Sequence, residues 1–224
     1  MTDIKSTRRI RVWDLPLRLF HWALLVCVCG AIATGEFSSE KDWHARFGYA
    51  VLSLLIFRIV WGFVGSTHAR FLNFVRGPGG ILAYLKKMKS ESGVMIGHNP
   101  IGALSVIGML LVLGLQAGSG LFITDQELFE GPFFKYISNS TASLLAQIHE
   151  ANATLIFILI GLHLAAILFY RFVKRDNLVT PMITGNKEVP ASAPEQSAAG
   201  GSALTGLVIF GIASALVWYL TTRL

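Results

Sequence analysis

Four histidines, His21, His44, His149 and His163, lie within or at the ends of long apolar runs, and their type and spacing bear most directly on chemistry. Ionisable groups in such runs are costly to bury in lipid, so their default reading is functional. His149 and His163 are 14 residues apart on one uninterrupted run. In a helix this is nearly four turns, about 21 Å of rise, with both rings leaving on nearly the same face. Imidazoles presented in this way ligate metals, bond across helices or relay protons, and what faces them decides which.

The elements that must position these rings are membrane helices. Of the 224 residues, 53% are hydrophobic and 14% charged, too apolar for an ordinary soluble domain. Five stretches, near Leu19–Gly35, His44–Gly65, Ile101–Ile123, Leu144–Val173 and Leu204–Leu220, approach or exceed the length needed for a span, which takes roughly 20 helical residues. They are continuous rather than alternating, which favours helices over barrel strands. Asn99 and Pro100 read as an N-cap and first-turn proline opening the third span. Gly77-Pro78-Gly79-Gly80 breaks the connection before a short surface helix, Ile81–Lys89, and Pro190–Gly201 reads as a flexible linker. The predicted organisation is all-α: a four-helix transmembrane domain over residues 1–175, a cytoplasmic linker over 176–202 and an appended fifth transmembrane helix over 203–224.

Charge gives the orientation. Lys5, Arg8, Arg9, Arg11 and Arg18 precede the first span; Arg70, Arg76, Lys86, Lys87 and Lys89 follow the second; Arg171, Lys174, Arg175 and Lys187 follow the fourth. All fall on one side, the cytoplasmic one. Glu36, Glu40, Asp42, Asp125, Glu127 and Glu130 fall on the other. The N-terminus is therefore expected in the cytoplasm and the C-terminus in the periplasm of a bacterial inner membrane. This one-sided pattern accounts for the net charge of +6 better than a nucleic-acid surface does. The first run imitates a cleavable signal peptide, but it carries His21 and Trp22, which a disposable segment does not need.

Depth then pairs the histidines. His44 and His149 each open a span from the outside, while His21 and His163 lie toward the inside. Two opposed imidazoles suit the axial positions of a haem iron, whereas zinc normally takes more protein ligands. Cys27 and Cys29 belong to no Cys-x-x-Cys-His attachment motif, so any haem is held non-covalently. Haem propionates need cations, and Arg58 and Arg18 are the candidates at the inner level, Arg46 at the outer. His68 and His98 read as ordinary interfacial histidines, and Cys27 and Cys29 as packing residues. The glycines from Gly102 to Gly120 make the third span thin enough to admit porphyrin faces or close helix packing.

Several motifs resemble a known family. Arg18-Leu19-Phe20-His21-Trp22, Trp43-His44-Ala45-Arg46-Phe47-Gly48-Tyr49, Arg58 through Gly65 with Ala69-Arg70-Phe71, and Gly97-His98-Asn99-Pro100 are similar to the prokaryotic cytochrome b561 group. That group shares a superfamily with the b-type cytochrome subunits of nickel-iron hydrogenases. The spacing of His149 and His163 also resembles the paired-ligand helix of the formate dehydrogenase gamma subunit. The resemblance covers residues 8–175. It implies a four-helix bundle binding two b haems, with His21 and His163 on the inner one and His44 and His149 on the outer one. It further implies electron exchange with membrane quinone and with a periplasmic cytochrome c or dehydrogenase. A stand-alone quinone-linked oxidoreductase of the superoxide oxidase type, and a haem-free transporter, are the competing expectations.

Overall fold

The computed structural model describes residues 7–36, 41–87, 96–124, 129–193 and 196–223. Lys5, Glu40, Lys89, Asp125 and Glu127 of the charge argument lie outside them. The chain runs through β1 (Thr7–Arg11), α1 (Leu15–Glu36), α2 (Lys41–Val64), α3 (Phe71–Phe74), α4 (Pro78–Lys87), α5 (Pro100–Gly120), a 3-10 turn at Phe134–Tyr136, α6 (Asn139–Phe172), α7 (Val179–Thr184), β2 (Asn186–Pro190) and α8 (Ala203–Thr222). Of the described helices, α1, α2, α5, α6 and α8 are long and apolar enough to cross a membrane. The protein is a mostly helical, multi-pass membrane bundle with one small sheet.

Capping side chains, rather than hydropathy, set where the helices begin. Asp14 Oδ1 accepts from the Leu17 amide at 2.7 Å and Pro16 occupies the first turn, so α1 starts four residues before the apolar run at Leu19. Ser138 Oγ accepts from the Thr141 amide at 3.2 Å, and α6 accordingly starts five residues before Leu144. Asn99 Oδ1 accepts from the Gly102 amide at 2.7 Å with Pro100 behind it, the start predicted for the third span.

A small sheet closes one end of the bundle. β1 pairs antiparallel with β2, in register from Thr7 opposite Pro190 to Arg11 opposite Asn186. Ile10 and Val189 turn inward from it onto the main apolar core, beside Trp13, Phe57 and Trp61. The linker expected over 176–202 carries α7 and β2, and its stretch after Pro190, read as flexible, follows the protein surface. The Ala198 amide donates to the Arg11 carbonyl (2.7 Å), the Thr67 amide to the Ala199 carbonyl (3.0 Å), and His68 Nε2 to the Gln196 carbonyl (2.7 Å). Gly201, with φ of +76°, passes so close to Asp14 that a Cβ would lie 2.9 Å from the aspartate Cβ. Helix α8 then packs on α2, with Phe210 against Phe57, and touches α1, with Gly206 against Pro16.

Helix α1 packs on α2, α2 on α5 and α8, and α5 on α6. Among the described residues no comparable packing joins α6 to α1 or α2, so α6 stands across a slot from that pair.

Candidate functional site

The four histidines meet across this slot. His21 enters from α1 and His163 from α6 at the sheet end, with ring centroids 6.4 Å apart and planes at 48°. His44 from α2 and His149 from α6 meet at the opposite end, 6.1 Å apart at 70°. An imidazole nitrogen sits about 2 Å from a bound metal, so two rings on opposite sides of one ion have centres about 6 Å apart. Both pairs stand at that separation.

Hydrogen bonds aim the rings of the second pair. His44 Nδ1 lies 2.9 Å from the Ala31 carbonyl oxygen. A carbonyl only accepts, so Nδ1 carries the proton and Nε2 presents its lone pair. Ser119 Oγ donates to the Leu115 carbonyl at 2.7 Å and lies 3.1 Å from His149 Nδ1. With the hydroxyl proton committed, Oγ accepts from Nδ1–H, and His149 also presents Nε2. Glycines cradle both rings: a Cβ at Gly35 would lie 2.7 Å from His44 Nδ1, and one at Gly120 3.2 Å from His149 Cε1. At the first pair, His21 Nδ1 is buried without a partner.

The arginines are placed unequally. Arg58 is 2% exposed, its guanidinium lies 4.5 Å from the Phe71 ring centre, and its Nη1 has no partner. Arg18 donates from Nη1 to the Ile183 carbonyl, tying α1 to α7, while its Nε is buried and unpartnered. Arg46 is exposed and lies over Trp43, 5.0 Å from the ring centre.

Two further residues of this region were not singled out from sequence. Ser119 orients His149; the available signal was its place beside Gly120, at the depth of His149. His98, read as an ordinary interfacial residue, packs its ring 4.7 Å from Trp13 and 4.8 Å from Phe74 and buries an unpartnered Nδ1. Burial first, and then the Arg58 guanidinium, His68 and His163, push its pKa down to about 3, so the ring is neutral. Nothing in the string Gly97-His98-Asn99-Pro100 reveals rings arriving from Trp13 and Phe74.

This donor set fits haem. Each level offers two opposed imidazoles, and the buried, unpartnered Arg58 Nη1 is a group that a carboxylate would satisfy. Positions Gly108, Gly114, Gly118 and Gly161 have open space where a Cβ would stand. Among the described residues, no group of three or more His, Cys, Asp or Glu could hold a metal ion by itself.

The family model described as prokaryotic cytochrome b561 matches residues 12–185. The chain belongs to this family. Similar relatives are described as probable Ni/Fe-hydrogenase B-type cytochrome subunits. The one from Rhodobacter capsulatus is 24% identical over 83% of this chain and 85% of its own length. The one from Azotobacter chroococcum is 22% identical over 81% and 90%. A probable Ni/Fe-hydrogenase 1 B-type cytochrome subunit of Escherichia coli K12 is 24% identical over 78% and 88%. No solved structure matches. As a b-type cytochrome the protein binds haem b and serves electron transfer in a membrane.

Proposed function

We propose that this cytochrome carries electrons across the bacterial inner membrane between the quinone pool and a periplasmic redox partner, using two non-covalently held b haems. His21 and His163 ligate the inner one, His44 and His149 the outer one. The observation that carries this reading is the separation of the two ring pairs, 6.4 and 6.1 Å. Haem b supplies reversible one-electron exchange at its iron. The histidine pairs would hold the group in the slot, and an iron held by two imidazoles would be suited to electron transfer rather than oxygen chemistry. Arg58 and Arg18 serve as inner propionate partners and Arg46 as an outer one. The sheet end, with Arg8, Arg9, Arg11, Arg70, Arg76 and Arg175, is assigned to the cytoplasm, and the end with Asp42 and Glu130 to the periplasm. The names of the relatives make a nickel-iron hydrogenase the first partner to test.

The test is the haem content of His163→Ala. Pyridine-hemochrome quantitation should fall from two haems per chain to one. Two haems retained by the variant would remove His163 from the ligand set.

A further inference from the structure

A cavity of about 530 Å³ opens at the sheet end of the bundle, between the turn that follows α2 and the surface stretch after Pro190. Hydrogen bonds fix its walls. Asn73 Nδ2 donates to the Thr67 carbonyl at 2.7 Å, and His68 Nε2 joins one wall to the other through the Gln196 carbonyl, also at 2.7 Å. The lining offers donors to a ligand. Arg76, exposed between α3 and α4, brings five N–H groups and a full positive charge. Ser197 Oγ accepts from the Arg11 amide at 3.3 Å, which leaves its hydroxyl proton for another acceptor. No aspartate or glutamate is among the described residues that line the cavity. One guanidinium among neutral donors matches an anion of a single negative charge, such as a phosphodiester. A phosphomonoester or free phosphate carries close to two charges at neutral pH and would be left half compensated.

Depth and hydropathy narrow the ligand further. Helix α2 ends at Val64, and Phe71 of α3 packs back on Phe63 with ring centres 5.7 Å apart, so the cavity lies just past the end of a span. That is the level of the lipid headgroups. Leu72, which lines the same cavity, is 82% exposed. Beside an arginine it is poorly placed in water and well placed at the boundary between headgroups and acyl chains.

We infer that this cavity binds the phosphodiester headgroup of an anionic membrane phospholipid, with Arg76 and Ser197 on the phosphate and an acyl chain passing Leu72. Basic pockets at a membrane surface recognise such headgroups in this way. A phosphatidylethanolamine would bring an ammonium group for which the described lining supplies no carboxylate, so phosphatidylglycerol is the better match. The bound lipid bridges the turn after α2 and the stretch that leads into α8, and so holds the fifth helix to the bundle. The site stands apart from the histidine slot, and its occupancy does not depend on the haem assignment.

Native mass spectrometry of the purified full chain in detergent tests this, with phosphatidylglycerol and phosphatidylcholine of the same acyl chains offered at equal concentration. The wild type should retain phosphatidylglycerol in preference to phosphatidylcholine. Arg76→Gln should weaken that retention about tenfold, the scale of one charge-assisted hydrogen bond, and Ser197→Ala about threefold with no change of charge. Arg9→Gln, on β1 and outside the lining, removes the same charge and should leave retention unchanged. All three replaced side chains are exposed, so the variants fold. Inorganic phosphate in large excess should not displace the lipid. Equal retention of the two lipids overturns the site. Equal losses in Arg76→Gln and Arg9→Gln overturn it in favour of diffuse surface charge, and displacement by inorganic phosphate overturns it in favour of a soluble anion.

Discussion

Replacing Gly35 by alanine inserts one methyl group against one ligand. The new Cβ would lie 2.7 Å from His44 Nδ1 and 2.9 Å from its Cε1. Non-bonded atoms rest at about 3.5 Å or more, so the ring must recede by roughly 0.8 Å. A metal bond tolerates displacement of only about 0.2 Å. The same movement takes the 2.9 Å bond from His44 to the Ala31 carbonyl past hydrogen-bonding reach. Overpacking of this kind costs about 1–3 kcal/mol of stability, which leaves a bundle that still folds. The expected result is selective: the outer haem is lost or loses a ligand, while the inner haem is unchanged. Haem-to-protein ratio and the low-spin electron paramagnetic resonance signals report the two outcomes separately. Gly211→Ala, on α8 where a Cβ meets nothing within 4 Å, is the control and should keep both signals. Two unperturbed haem signals in Gly35→Ala would refute the placement of His44 as a ligand.

Asn99→Ala removes both the cap on the Gly102 amide and the 2.6 Å bond to the Tyr170 hydroxyl. Together these are worth about 1–2 kcal/mol, and the melting temperature in detergent should fall, with Asn99→Asp between the variant and wild type; an unchanged melt contradicts the cap. His98 titrates at about 3 in the folded protein against 6.5 as a free side chain. Below pH 6.5 the unfolded chain binds a proton that the native ring refuses, so stability falls with pH, by about 2 kcal/mol at pH 5. His98→Gln abolishes this contribution, and its melting temperature should drop less than that of wild type between pH 7.5 and 5. Equal slopes would show that the native ring takes up the proton.

Features resting on hydropathy and helical periodicity were legible in the sequence. The 14-residue spacing of His149 and His163 placed both rings on one face of one helix, and depth alone paired them with His44 and His21. The structure brings the same pairs together. Features resting on contacts between distant segments were not legible. β1 is a charged five-residue strand, Thr7–Arg11, whose partner β2 begins at Asn186, and neither carries enough alternation to declare itself. The polar run after Pro190 has the composition of a linker, yet backbone bonds to Arg11 and Thr67 give it a path that composition does not encode. Asp14 stands two residues before Pro16 with nothing in the sequence to mark it, yet it caps α1 and accepts from Trp61, and the cap moves the helix start ahead of the apolar run. Ser119 and His98 share this difficulty. Their significance lies in which ring or guanidinium arrives beside them, and a one-dimensional pattern is silent on that.

A reduced-minus-oxidised visible spectrum of the purified full chain, with the haem-to-protein ratio determined on the same sample, tests the central claim most directly. Paired imidazoles at two depths predict a b-type spectrum that responds fully to reductant, at two haems per polypeptide. A colourless preparation, or pigment that does not change on reduction, would contradict the account.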